Sequence, residues 1–237
     1  MSKAMGEMLY EGKAKRIFAT DDPALVLQQF KDDATAFDGT KKSRIARKGV
    51  SNARISTVLF KLLEENGVPT QFVEQTAEDT LLTKKLDMYR VELVVRNYAA
   101  GSIVKRLGFE EGQRFKQPLV EYFLKDDSLH DPLITCMHIE ELGLVSKEEL
   151  QQIKAQALRI NEILSGFFDE RGVTLVDFKL EFGKDSDGVI TLGDEISPDT
   201  CRFWDKETGK KLDKDRFRFD LGGVQDAYSE MLNRVEQ

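Results

Sequence analysis

The sequence predicts a mixed fold of strands and helices in two lobes, a small β-rich one over residues 1–88 and a larger α/β one over residues 89–237. Three observations carry this. Short runs of β-forming residues fill the first third, at 8–30 and 71–86, separated by turn residues. A helical repeat of apolar residues runs from Ser146 to Gly172. Directly after it, Leu175 to Gly183 alternates with period two, and Val189 to Leu192 reads as the returning strand of a hairpin. The change of character near Asp87-Met88 marks the boundary between the lobes.

Composition narrows the function classes. At 237 residues, 41% apolar and 32% charged, the chain suits a soluble globular protein with a substantial core. A net charge of −7 argues against a general nucleic-acid footprint and leaves room for a local basic pocket. Cys136 and Cys201 have no CxxC spacing, which disfavours a disulfide framework or structural zinc and fits a reducing cytoplasm. No apolar run approaches the roughly 18 residues of a membrane span.

In chain order, Met8 to Glu11 and Arg16 to Ala19 read as strands joined at Gly12, followed by a strand from Leu25 to Phe30. At such a hairpin tip, Gly12-Lys13-Ala14-Lys15 can lay backbone N–H groups and ammonium charge over a triphosphate. It is not the Walker pattern, and surface lysines at a turn are the alternative. Asp32 to Gly39 reads as a polar loop, and Lys41 to Arg44 with Arg47 to Gly49 as a basic patch. Asn52 to Glu65 is an amphipathic scaffold helix with Ile55, Val58, Leu59 and Leu62 on its stripe.

Val91 to Tyr98 reads as a strand ending in Arg96, after which Gly101 gives way to Ser102 at the head of a short helix. A helix N-terminus beside an arginine suits an anion, and a structural arginine with an N-cap is the alternative. With only His130 and His138 present, a histidine metal site or a Ser/His/Asp triad is poorly supported, and His130 reads as orienting its loop beside Asp131. Ser146 and Glu149 form a capping box for the long helix, whose Leu150, Ile153, Ala157, Ile160, Leu164 and Phe167 are core. On the alternating strand, Val176, Phe178, Leu180 and Phe182 share one face, and Asp177, Lys179 and Glu181 the other. The hairpin can return Asp194 or Glu195 toward that charged row. Glu181 with Asp194 could then hold Mg²⁺, which takes one or two carboxylates plus phosphate oxygens. Lys179 and Arg202 could meet a phosphoryl or carboxylate group. The alternative is the wet face of any amphipathic strand. Lys206 to Arg218 reads as charged surface, and the closing helix turns Val224, Tyr228, Met231, Leu232 and Val235 inward.

Seven motifs now stand in register from about Tyr10 to Tyr228: Gly12-Lys13-Ala14-Lys15, Val94-Val95-Arg96-Asn97, Ala100-Gly101-Ser102, Phe123-Leu124-Lys125, His130-Asp131-Pro132, Val176 to Gly183, and Gly193 to Asp199. Together they closely resemble the SAICAR synthetase family. The resemblance implies an α+β fold related to ATP-grasp and kinase-like folds, with a small antiparallel β lobe and a larger α/β lobe clasping ATP in the crevice between them. It implies a cytoplasmic homodimer that uses Mg²⁺ and ATP to join L-aspartate to a phosphoribosyl aminoimidazole carboxylate, with no nucleic acid or membrane partner. By resemblance, Gly12, Lys13, Ala14 and Lys15 lie over the phosphates, Lys84, Leu86 and Met88 border the adenine, and Lys125 contacts the nucleotide. Glu181 and Asp194 hold the metal. Arg96, Ser102, Asp177, Lys179, Asp199 and Arg202 surround the phosphoribosyl substrate, with Asp38 nearby.

Physical chemistry agrees with that assignment. A carboxylate is a poor acyl donor until phosphoryl transfer gives its oxygen a leaving group. The protein's task is positioning and charge neutralisation, which Lys13, Lys15 and Lys179 supply. The attacking amine must be neutral, and Asp38, Asp177 and the substrate's own phosphate are alternative acceptors of its proton. A related ATP-dependent small-molecule kinase and a nucleotide-binding module without turnover are the rival readings.

Overall fold

The computed structural model describes residues 5–36 and 40–237, so Asp38 lies outside the described residues. The chain opens with β1 (Met8–Glu11), β2 (Lys15–Ala19) and β3 (Leu25–Phe30). These join β6 (Phe72–Ala77) and β7 (Thr80–Lys84) in an antiparallel sheet of order β1-β2-β3-β7-β6. The turn at Gly12 and the strand β3, which buries Val26, Leu27 and Phe30, give the arrangement read from sequence.

Between these strands the structure departs from the expected polar loop. β4 (Asp33–Ala36) and β5 (Lys41–Arg44) form an antiparallel hairpin. Ala34 and Ala36 alternate with polar residues and pack with Ile45 and Phe217 in a small apolar cluster. The period-two signal existed, but alanine carries too little hydrophobicity to announce it. α1 (Lys48–Glu65) begins a turn earlier than expected because its cap is tertiary: Asp32 Oδ1 accepts the Gly49 N–H at 3.1 Å. Its buried face is Ile55, Leu59, Phe60 and Leu63, with Val58 and Leu62 at the edge. Lys48 is buried too, which removes it from the expected basic patch.

The second sheet is also antiparallel, of order β10-β9-β8-β11-β12, and β13 pairs with the first half of β11 along the edge that β12 shares, opposite β8. Its strands are β8 (Asp87–Tyr98), β9 (Arg114–Leu124), β10 (Leu133–Ile134), β11 (Val173–Lys184), β12 (Ile190–Leu192) and β13 (Cys201–Asp205). The helices are α2 (Ser102–Leu107), α3 (Cys136–Glu141), α4 (Lys147–Asp169), α5 (Asp215–Arg218) and α6 (Val224–Val235). The capping box of Ser146 and Glu149 starts α4, which covers β11. None of the described helices is long and apolar enough to cross a membrane.

One apolar cluster runs from Phe30 through α1 and both sheets to Val235, and Leu192 pairs with Thr70 to tie the sheets together. Val176, Phe178, Leu180 and Phe182 are all buried. Burial of each such side chain contributes roughly 1.5–3 kcal/mol, and a one-residue slip would exchange them for Asp177, Lys179 and Glu181. The core therefore fixes which way the charged row points.

Candidate active site

A cavity of about 1460 Å³ is lined by residues of both sheets. Gly12, Lys13, Ala14, Lys15, Lys84, Leu86, Met88, Lys125, Lys179, Glu181, Asp194 and Asp199 all reach it. Arg96, Ser102, Asp177 and Arg202 form a neighbouring network instead.

At one end, the Gly12 N–H donates to the Lys15 carbonyl at 2.8 Å, closing the β1–β2 turn at the cavity mouth. Lys13 reaches Asp127 at 3.0 Å in an exposed pair. Lys15 is turned inward, ion-paired with Asp194 and 3.7 Å from Glu195. Burial works against its charge, but Asp194 and Glu195 outweigh it and raise its pKa. Ile17, Val26, Leu86 and Met88 supply an apolar wall suited to a nucleobase. Gly193 makes room for that wall: a Cβ there would meet Met88 Cε at 2.9 Å and Leu86 Cδ1 at 3.2 Å.

The carboxylates converge where the β11–β12 hairpin ends. The Gly193 N–H donates to the Glu181 carbonyl at 2.8 Å, and Asp194 follows at φ 56°, a left-handed conformation that aspartate tolerates better than most residues. Gln71 Nε2 donates to the Asp194 carbonyl at 2.6 Å and secures this turn. Burial and the charge of Asp194 push the Glu181 carboxyl up to about 7, although Lys125 pairs with it. Burial also pushes Asp194 upward, yet Lys15 prevails and holds it below the usual carboxylate range. Glu195, beside them, is pushed up to about 7 by burial, and its Oε2 has no hydrogen-bond partner. Lys179 meets Glu92 at 2.8 Å.

The arginine network follows from strand register, since Asp177 on β11 stands opposite both Arg96 on β8 and Arg202 on β13. Arg96 contacts Asp177 at 2.5 Å, Glu121 at 2.7 Å and the Ser102 hydroxyl at 3.2 Å. Arg202 contacts Asp177 at 2.9 Å and Asp215 at 2.9 Å, and Arg218 joins Asp215 at 2.6 Å. Arg218 also lines the cavity, so the network abuts it. Gly101, at φ 65°, lets the Arg202 guanidinium lie where a Cβ would be only 2.5 Å from Nη2. The sequence left Arg96 open between anion site and structural arginine. Its burial among carboxylates gives it a structural task whatever else it does.

The family profile described as SAICAR synthetase matches residues 8–235. The chain belongs to the SAICAR synthetase family. It is 58% identical over 229 residues to a phosphoribosylaminoimidazole-succinocarboxamide synthase of Chlorobium phaeobacteroides, covering 97% of each chain. It is 55% identical over 229 residues to the synthase of that name from Coprothermobacter proteolyticus, covering 97% of each. Among solved structures, a type-2 SAICAR synthetase in complex with ADP superposes with a TM-score of 0.93 at 52% identity, over 95% of this chain and 96% of that one. The Ehrlichia chaffeensis synthase gives 0.95 at 45% identity, over 97% and 98%. The mixed fold with antiparallel sheets is the one these SAICAR synthetase structures share.

In this chain the donor set suits a divalent cation held partly by phosphate. Among the described residues no three His, Cys, Asp or Glu side chains form a ready-made metal cage. Glu181 and Asp194 are two half-buried hard-oxygen donors, and the charge of Asp194 raises the proton affinity of Glu181, which fits a divalent cation completed by phosphate oxygens.

Sequence reasoning gave no site role to Lys48, Lys214, Arg218 and Tyr228, and offered Glu195 only as an alternative to Asp194. Lys214 and Arg218 lie in the stretch expected to be charged surface, yet Leu212, Asp213, Asp215 and Phe217 there are buried and both cations reach the cavity. Leu212 and Phe217, apolar and five residues apart among charges, were the available signal.

Proposed function

We propose that this chain joins L-aspartate to the carboxylate of 5-amino-1-(5-phospho-D-ribosyl)imidazole-4-carboxylate, using ATP and releasing ADP and phosphate, as a step of purine synthesis. The observation that carries the reading is one cavity that joins a Gly-Lys-Ala-Lys turn, an apolar wall and the Glu181–Asp194 pair to a cationic end at Lys179, Lys214 and Arg218. A nucleoside triphosphate matches the first three and an anionic acceptor the last.

The chemistry follows from that polarity. The substrate carboxylate oxygen attacks the γ-phosphorus, the bond to the β-phosphate oxygen breaks, and ADP leaves. The aspartate amine then attacks the acyl carbon, and phosphate departs with the carboxylate-derived oxygen. Two anions must approach in the first step. Lys13 and Lys15 neutralise the phosphates, and Lys179 and Lys214 the acceptor. Mg²⁺ held by Glu181 and Asp194 would add charge stabilisation at the phosphates. Lys15 and Lys125 now occupy those carboxylates, so an arriving polyphosphate would draw the lysines to itself and leave the carboxylates to the cation. Arg96, Ser102, Asp177 and Arg202 are assigned to the phosphoribosyl end, and Asp38 or Asp177 to the amine proton. We read residues 1–88 as the lobe that clasps ATP and 89–237 as the lobe carrying metal and acceptor, in an arrangement related to ATP-grasp and kinase-like folds. A cytoplasmic homodimer completes the proposal.

The test is ADP release from Mg-ATP and the imidazole carboxylate ribotide, with and without L-aspartate. Release requiring both, with a succinocarboxamide product, is expected. Sustained release without aspartate would make the protein a kinase, and ADP binding without turnover would make it a binding module.

A further inference from the structure

Asp199 lines the cavity, but its carboxylate is occupied from behind. Lys48 Nζ, wholly buried in the first turn of α1, lies 2.5 Å from Oδ2, and Asn52 Nδ2 donates to the same oxygen at 3.1 Å. On the other oxygen, the Tyr228 hydroxyl of α6 donates to Oδ1 at 2.6 Å. Lys214 Nζ stands 3.8 Å from that Oδ1, beyond hydrogen-bond range, and lines the cavity itself.

The charge count gives this arrangement a consequence. Lys48 cancels Asp199, so the charge of Lys214 is surplus where Arg218 adds a second cation and Glu195 is the other nearby acid. Tyr228 takes the lone pair of Oδ1 that Lys214 would otherwise close upon. A buried lysine and tyrosine doing no more than holding α1, α6 and the 195–201 loop together could use any carboxylate. Placing that carboxylate against a cavity lysine, at a distance that does not capture it, is the added feature.

We propose that Lys48 and Tyr228 are positioning residues, which satisfy Asp199 from behind and so leave the Lys214 ammonium available to an anionic group of the acceptor substrate. Without the Tyr228 hydroxyl, Lys214 closes onto Oδ1 and withdraws from the cavity. Without Lys48, Lys214 becomes the counter-ion of Asp199. The inference rests on the reading above that the cavity takes an anionic imidazole carboxylate.

A double-mutant cycle on the full chain tests it, with calorimetric titration of the imidazole carboxylate ribotide and of ADP. Tyr228→Phe is expected to weaken ribotide binding roughly tenfold, the scale of one charge-assisted contact, and ADP binding less than twofold. In a Lys214→Met background the same substitution should have no further effect on ribotide binding, because the group it releases is gone. Lys48→Met should act in the same direction, and Tyr228→Phe keeps the test decisive if that variant does not fold. Additive losses, or equal losses for ribotide and ADP, overturn the positioning role and leave the proposed reaction standing. A wild-type protein that binds ADP but no ribotide overturns both.

Discussion

Lys15 and Asp194 stand 179 positions apart in the chain and meet as an ion pair on the cavity wall. The contact joins the turn assigned to the phosphates with the carboxylate assigned to the metal, so one pair couples the two halves of nucleotide binding. Asp194→Asn removes the charge and keeps a residue that tolerates the left-handed backbone at φ 56°. Turnover at saturating Mg²⁺ should fall about 100-fold or more, in the range seen when a transition-state charge partner is lost. Thermal denaturation should show a folded protein. Near-normal turnover in that folded variant would sink the metal assignment.

Gly193→Ala probes the apolar wall. The new methyl would lie 2.9 Å from Met88 Cε and 3.1 Å from its sulfur, both at the end of a flexible side chain. Met88 can move, so the fold should survive, and its movement is into the space assigned to the base. ADP affinity should drop by about tenfold, the low end of what overpacking costs. Calorimetric titration with ADP checks it, and unchanged affinity would separate this wall from the base.

Arg96→Ala tests both readings of the arginine at once. Truncation leaves Asp177 and Glu121 short of a buried partner, and breaking such a pair costs about 3–5 kcal/mol. A lower denaturation midpoint is expected. Because Arg96 stands outside the nucleotide end, ribotide affinity should fall far more than ADP affinity. Equal losses in the two titrations would leave it a structural role alone.

The contrast between residues read correctly and those missed has a physical basis. The Asp177-Lys179-Glu181 row was legible because strict alternation declares two faces, and the four apolar partners enforce the register. The capping box of α4 was legible because both its members are local. The start of α1 was not, since its cap comes from Asp32, seventeen residues upstream of Gly49. Lys48 and Tyr228 were illegible for a stronger reason. A lysine beside a helix start and a tyrosine on a helix stripe look like surface and core, and only Asp199, 151 and 29 positions away, makes them a pair.

Asp205 offers a test of acid stability away from the cavity. Its Oδ1 accepts the Thr208 hydroxyl at 2.6 Å and the Thr208 N–H at 2.8 Å, and Arg234 of α6 donates to Oδ2 at 2.6 Å. These contacts, the Thr208 hydroxyl foremost, hold the carboxyl well below its ordinary value of 3.8. A depressed folded-state pKa means the stabilisation is present above the unfolded-state value and is lost as pH falls below it. Asp205→Asn should therefore lower the denaturation midpoint by several degrees at pH 7, since it loosens β13 from the end of α6. The gap between wild type and variant should narrow as pH drops below 3.8, because the unfolded chain's carboxylate takes up its proton there while the folded one keeps its charge to lower pH. Midpoints measured by circular dichroism across that range decide it. A gap that stays constant would assign the effect to neutral hydrogen bonding rather than to charge.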